Sequence, residues 1–237
     1  MKNYEIKITL LLKRDVKLVD THEFLSANIN KVMLEDTELK ERHKLNSFKP
    51  YCIGSLYPFD LESKLYKANQ VYILTIRSID ISFLNSLKKV LKSSVKLDFN
   101  VLAIESITQN HKYIESAFTL TPTIISIYDE EKDYIRYWIK DEGSLDFVKK
   151  RIKDNLEKKY EQFYKEKIIA PDDFISMIQI QNKKPIVYNY KRIKLWTNKF
   201  KILFASDDIS QKLASLAFGV GILEKNSLGF GFLTKGR

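Results

Sequence analysis

Hydrophobic and polar positions alternate from the first residues of the chain. Tyr4, Ile6, Ile8 and Leu10 interleave with Glu5, Lys7 and Thr9, the period of two that marks a strand with one buried face. The period then lengthens. After Asp20-Thr21, a candidate N-cap, Phe24, Leu25, Asn28, Ile29, Val32 and Met33 recur at helical spacing. Residues 35–44 are charged, show no period and read as a loop. Residues 48–56 are strand-like, and Pro50 near the start with Gly54 inside the run predicts a bulge or an edge position. Residues 71–77 continue the sheet pattern. Ser78 or Asp80 caps a helix carrying Ile81, Leu84, Leu87, Val90 and Leu91, and residues 95–108 return as a strand with Leu97, Phe99, Val101 and Ala103 on one face.

The order so far is β-α-β-β-α-β, the split βαβ or ferredoxin-like plan. The second half repeats the order of elements without repeating the sequence. Residues 118–128 form a β-rich run, and residues 134–139 pair with it as a hairpin across 129–133. Leu145, Val148, Ile152, Leu156, Tyr160 and Phe163 fit one long helix. Residues 174–180 and 186–204 read as strands, the latter bent around Thr197-Asn198. Asp207 or Asp208 then caps a helix that ends at Gly219, as helix C-termini often do at glycine, and residues 228–233 make a last strand. The expected fold is α+β, two tandem ferredoxin-like domains spanning 1–114 and 115–237. No Pro/Ser-rich linker separates them, so the halves are expected to pack tightly.

Composition narrows the function classes. Of 237 residues, 44% are hydrophobic and 12% aromatic, enough for a packed core. The net charge of +10 favours a polyanionic partner, nucleic acid or an acidic membrane surface. Lys outnumbers Arg 33 to 7, a bias that genome base composition also produces, so charge alone does not decide. Cys52 is the only cysteine, which leaves no disulfide framework and no thiolate metal cluster. His22, His43 and His111 share no metal-ligand spacing. No metal and no cofactor are expected. No apolar run approaches the roughly 18 residues of a membrane span, and a soluble, cytoplasmic protein is expected.

Candidate chemistry gathers at three places. Five of the seven glycines fall in the last nineteen residues, as the pairs Gly219/Gly221 and Gly229/Gly231 and then Gly236, around the polar run Glu224-Lys225-Asn226-Ser227. Paired Gly-x-Gly units suit either a tight hairpin or a loop whose N–H groups grip an anion. His43 lies six residues before Lys49. A lone surface histidine is more often inert than catalytic, but one near pKa 6.5 gives or takes a proton at neutral pH, and a nearby cation stabilises phosphate charge. Finally, Lys183, Lys184, Lys191, Arg192, Lys194, Lys199 and Lys201 surround Tyr188, Tyr190 and Trp196. Such a stretch is either a solvated face over core aromatics or a surface where cations meet phosphates and rings stack on bases.

Three segments together resemble the CRISPR-associated endoribonucleases of the RAMP superfamily, which cut repeat RNA into guide RNAs. Glu224-Lys-Asn-Ser-Leu-Gly-Phe-Gly231 is similar to that family's C-terminal glycine-rich motif. His43-Lys-Leu-Asn-Ser-Phe-Lys-Pro-Tyr-Cys-Ile-Gly-Ser55 is similar to its histidine segment, and residues 72–80 to the strand and helix entry that follow. With the element order, the resemblance spans the full length. It implies metal-independent cleavage by attack of the RNA's own 2′-OH, leaving a 2′,3′-cyclic phosphate and a 5′-OH, with His43 as general acid or base and Lys49 stabilising the transition state. It implies RNA contacts from Gly219, Gly221, Lys225, Asn226, Gly229 and Gly231, with Lys191, Arg192 and Lys194 beside them. The implied partner is CRISPR repeat RNA, stem-loop or single-stranded, with a homodimer, or a place as an RNA-binding subunit of a CRISPR effector complex, left open. Two features depart from the family. The first helix carries no tyrosine to partner the histidine, which leaves His22, Ser26, Asn28 or Lys49 alone. Seven residues separate Gly221 from Gly229 where five is usual, so either Leu223 takes a glycine slot or the loop is longer.

Overall fold

The alternating start of the chain becomes β1 (Lys2–Leu12), one of the two inner strands of a four-stranded sheet. A two-residue strand β2 (Val16–Lys17) precedes α1 (Thr21–Met33) and α2 (Thr37–Lys44). Then come β3 (Tyr51–Tyr57), the short β4 (Leu65–Tyr66) paired with β2, β5 (Val71–Ser78), α3 (Ile81–Ser93) and β6 (Phe99–Asn110). The sheet order β3-β5-β1-β6 is antiparallel throughout, the ferredoxin-like arrangement. This computed structural model describes residues 1–140 and 143–236, so Arg237, the end of the glycine-bearing stretch, lies outside the described residues.

The second half is β7 (Ser116–Thr119), β8 (Ser126–Asp129), β9 (Tyr134–Tyr137), α4 (Leu145–Tyr164), β10 (Ile175–Ile180), β11 (Ile186–Tyr190), β12 (Ile193–Thr197), β13 (Phe200–Phe204), α5 (Asp208–Val220) and β14 (Leu233–Lys235). Its sheet order β10-β13-β7-β14 repeats that of the first sheet. Each sheet has its own core, the first around Ile8, Leu25, Leu74 and Leu87, the second around Ile152, Phe200, Ile202 and Leu216. The fold is two ferredoxin-like domains. No helix among the described residues is long and apolar enough to cross a membrane.

Several boundaries differ from the pattern reading, each for a local reason. Residues 35–44 are not a loop. Asp36 caps α2 by accepting a hydrogen bond from the Leu39 amide at 3.0 Å, and Leu39 alone anchors the helix in the core, so there was no apolar period to read. The first sheet has a bulge between Thr9 and Leu10, which leaves Ala103 opposite Thr9 on the outer face and not beside Phe99 and Val101. The expected bulge in β3 does occur, between Ile53 and Leu56 on an edge strand. Residues 118–128 split into two strands. Residues 186–204 make three, because Lys191 and Arg192 turn the chain with both φ angles positive (44° and 69°), a two-residue hairpin turn that usually takes Asn or Gly. The final strand starts only at Leu233, since residues 226–228 form a 3₁₀ turn.

The domains interlock through α5, which lies across the outer face of the first sheet. Asn3 Nδ2 donates to the Ser215 carbonyl at 2.8 Å, and the Cys52 thiol lies 3.6 Å from the Gly219 carbonyl. A Cβ on Gly219 would stand 2.7 Å from both Asn3 Oδ1 and Ile79 Cγ2. Gly219 is therefore a close-packing position inside α5, buried from any ligand, and not an RNA contact. Arg77 adds the charged part of the interface. It pairs with buried Glu5 at 2.6 Å, donates to the Leu233 carbonyl at 2.6 Å and lies over the Phe232 ring. Each partner of such a pair needs the other, since a lone buried charge is strongly destabilising.

A candidate nucleic-acid cleft at the domain seam

His43 sits in the last turn of α2, a helix that is acidic at its start and carries Arg42, His43 and Lys44 at its end, the polarity that suits the helix dipole. Lys49 reaches back across the following loop. Its ammonium donates to the carbonyls of Arg42 (2.8 Å), His43 (3.0 Å) and Leu45 (2.6 Å). An ammonium has three protons, so the clamp that closes the helix end occupies Lys49 fully. Arg42 ties the same turn to Asp80, the N-cap of α3. Partial burial holds the His43 pKa below its ordinary value, with the Lys49 charge acting in the same direction. Burial likewise lowers Lys49.

The glycine-rich loop forms the facing wall. Its backbone takes positive φ at five positions on either side of the 3₁₀ turn: Gly221 (77°), Leu223 (58°), Lys225 (58°), Gly229 (101°) and Gly231 (71°). Leu223 thus adopts the conformation of a glycine slot without being glycine, at a cost of about 1–2 kcal/mol. The loop is closed on itself from within. The amides of Gly221, Gly229 and Gly231 donate to the carbonyls of Ala217, Asn226 and Pro122. Asn226 is buried, and its Nδ2 donates to the carbonyls of Ile222 (2.8 Å) and Phe230 (2.9 Å). These glycine amides and Asn226 therefore build the loop and do not grip an anion. Lys225 at the tip is exposed and Ser227 half-exposed.

Beneath the loop lies Lys159 of α4, a residue that sequence reasoning missed among the mixed charges of that helix. It is fully buried, and its ammonium donates to the Gly221 carbonyl (2.9 Å), the Leu223 carbonyl (3.2 Å) and Asn226 Oδ1 (2.6 Å). Burial brings its pKa down to about 7. One helical turn on, Gln162 holds the backbone of Phe48 on both sides, accepting from its amide at 2.9 Å and donating to its carbonyl at 2.8 Å. The Lys49 segment of the first domain is thereby fastened to the main helix of the second. Between the two walls runs a cleft of about 280 Å³, lined by Ser47, Phe48 and Lys49 on one side and Lys225, Asn226 and Ser227 on the other. His43 is not among the lining residues and stands at the adjoining helix end. A roomier hollow of about 540 Å³ lies beside α1, where Asp15, Asp20, Glu23 and Asp98 offset Arg14, Lys17 and Lys31 and leave no excess of positive charge for a polyanion.

Of the alternatives to a helix tyrosine, Lys49 lines this cleft, and none of the three on α1 does. Ser26 donates to the His22 carbonyl in its own helix, and Asn28 bonds the Phe24 carbonyl and the Asp98 amide. His22 is buried between Tyr188 and Phe230, stacked on the latter at 4.1 Å, and burial takes its pKa down to about 3. It is a neutral seam residue, and a Cβ on Gly229 would strike its Nδ1. Lys191, Arg192 and Lys194 are exposed on the β11–β12 hairpin, whose turn is tied to α1 by the Lys191 amide and Glu23. They lie outside the cleft lining. Among the described residues no three His, Cys, Asp or Glu side chains are grouped to hold a metal ion.

Comparison with known proteins gives the family and the fold. The family model described as CRISPR associated protein Cas6, C-terminal, matches residues 105–234, more than half of the chain. The chain is 25% identical over 241 residues to the CRISPR-associated endoribonuclease Cas6 2 of Methanocaldococcus jannaschii, covering 96% of this chain and 98% of that protein. Among solved structures it is similar to an RAMP protein binding different RNA substrates (TM-score 0.76, 17% identity, 100% of both chains). It is also similar to the product of a Cas6-related gene from Pyrococcus furiosus (TM-score 0.76, 17% identity, 98% of both chains). At these identities the structural likeness speaks for the fold.

Proposed function

The chain belongs to the Cas6 family of CRISPR-associated proteins, and on that premise we propose that it is an endoribonuclease that processes CRISPR repeat RNA, cutting it without a metal ion. The observation that carries the reading is the seam cleft, where the histidine-bearing helix end and the glycine-rich loop of the other domain meet around Lys49, Lys225 and Ser227. RNA backbone enters between them, with Lys225 and Ser227 toward the phosphates.

The chemistry is an internal transesterification. The 2′ oxygen forms a bond to the adjacent phosphorus, the bond from phosphorus to the 5′ oxygen breaks, and the departing oxygen takes up a proton. His43 accepts the 2′-OH proton, a role that needs the neutral imidazole its lowered pKa provides at neutral pH. Lys49 positions His43 by holding the helix end, and its charge lies close to where negative charge grows on the phosphate.

A second reading, an RNA-binding subunit of a CRISPR effector complex without cutting activity, draws on the full occupation of the Lys49 protons by carbonyls. Incubation with end-labelled repeat RNA decides between them. The nuclease yields a 2′,3′-cyclic phosphate and a 5′-OH, continues in EDTA, and loses roughly 10²–10⁴-fold in rate on His43→Ala while RNA binding persists. Unchanged cutting by that variant removes His43 from the mechanism, and arrest by EDTA overturns the metal-free reading. A protein that binds but never cuts is the subunit.

A further inference from the structure

The second domain carries a groove away from the seam cleft that has no part in the chemistry above. It lies between the two small hairpins, β8–β9 and β11–β12. Trp196 and Lys194, two residues apart on the outward face of β12, form one wall, and Tyr134, Arg136 and Tyr137 of β9 form the other. The rings are open to solvent: Trp196 is 41% and Tyr134 45% exposed. The next residues inward, Leu195 and Trp138, are buried, so Trp196 and Tyr134 are not needed to fill the core, while Tyr137 is half-buried against the Leu195–Phe230 cluster and offers the groove only its outer edge. None of the lining residues is acidic, although the turn joining β8 to β9 is rich in Asp and Glu.

We propose that this groove is a stacking site for unpaired nucleotides of the RNA, with bases on Trp196 and Tyr134 and phosphates toward Lys194. The inference rests on the RNA-processing reading and adds to it a second contact region with a stated ligand, single-stranded RNA outside the scissile step. Two observations favour this occupant. Flat aromatic faces interleaved with cations are the chemistry of sequence-tolerant single-strand binding. The groove is also linked to the seam cleft through Ser126, which bonds a residue of one and pairs with a residue of the other. Glu224, which lines the cleft, accepts hydrogen bonds from the amide (2.8 Å) and hydroxyl (2.6 Å) of Ser126. Ser126 stands opposite Tyr137 across the β8–β9 ladder. The two sites thus sit on connected elements, which lets one strand of RNA run from the cleft toward the groove.

The protein has only two tryptophans, Trp138, which is 1% exposed, and Trp196, so intrinsic fluorescence reports on the site. Titration of the full chain with a short single-stranded oligoadenylate is expected to quench emission, and Trp196→Phe, which keeps a stacking ring, removes the quench while binding holds. Trp196→Ala weakens oligonucleotide binding roughly 5–150-fold, and Lys194→Ala lessens its dependence on salt. If Trp196→Ala does not fold, Tyr134→Ala on the other wall carries the same expectation. Absence of a quench, a quench that survives Trp196→Phe, or a folded alanine variant with wild-type affinity overturns the proposal. A dimer in solution that hides Trp196 does the same. The two readings fail separately. A chain that stacks the oligonucleotide but does not cut repeat RNA loses the nuclease reading alone, and one that cuts repeat RNA with unaltered affinity in the alanine variants loses only the groove.

Discussion

Lys49 and Lys159 each spend three ammonium protons on carbonyl or amide oxygens, and both act by shaping backbone beside the same cleft. Lys49 could be singled out from the sequence because it follows His43 and precedes Pro50 in a recognisable segment. Lys159 could not, since one lysine among many on a mixed-charge helix becomes distinctive only when burial removes its water. The difference bears on how Lys49 acts. Replacing it by Met frees the end of α2 and removes the charge that helps depress His43. We expect Lys49→Met to slow cleavage by ~10² and to move the acid limb of the pH–rate profile upward. The sign follows from the role of base: His43 works when deprotonated, its pKa is lowered below 6.5 in the native protein, and loss of the cation lets that pKa rise. A profile with an unmoved acid limb shows that the Lys49 charge does not reach the base.

At the scale of elements, the glycine-rich loop shows how far spacing can be read. The glycine count marked the segment, and the longer gap between Gly221 and Gly229 left two explanations. The positive φ of Leu223 gives it the backbone of a glycine slot, which is compatible with the first, although Lys225 shares that conformation. What the pattern could not give was the direction of the loop's polar groups. The carbonyls of Gly221, Ile222, Leu223 and Phe230 point inward because Asn226 and Lys159 donate to them, and only a three-dimensional contact reveals that. Gly231→Ala tests the tightness of this closure. Its Cβ would lie 2.2 Å from the Ile222 carbonyl at a φ of 71°. We expect a loss of about 2–4 kcal/mol in urea unfolding from left-handed strain and overpacking together. A cost under half a kcal/mol means the loop can open without penalty.

Across the whole molecule, the seam is held by residues from both domains that lack water, and one of them titrates. His22 is enclosed by α1, the β11–β12 hairpin and Phe230 of the glycine-rich loop, and its folded pKa of about 3 lies below the ordinary 6.5. Between those values the unfolded chain takes up the proton and the folded chain does not. The stabilisation is therefore complete above pH 6.5 and drains away as pH falls toward 3. We expect the wild type to lose about 2 kcal/mol more than His22→Phe between pH 7 and pH 5, measured by chemical denaturation, in a range where most carboxylates have yet to titrate. Parallel curves for the two proteins refute the assignment.

The sequence by itself determined the element types, their order in both halves and the segments that carry His43, Lys49 and the glycines, because hydrophobic period, caps and breakers are local properties. α2 was the exception, since a helix held by a single buried leucine leaves no period to see. The tertiary structure decided which of those residues face a ligand. Gly219 is buried inside α5, Asn226 shows only an edge to the cleft, and Lys191, Arg192 and Lys194 stand apart from it, because exposure depends on how two domains lie against each other. The same packing brings Phe48 onto Gln162, more than a hundred positions away, and sets Trp196 outward while Tyr188 turns in. Spacing along a chain can name a residue, but only the packed surface shows what it is able to touch.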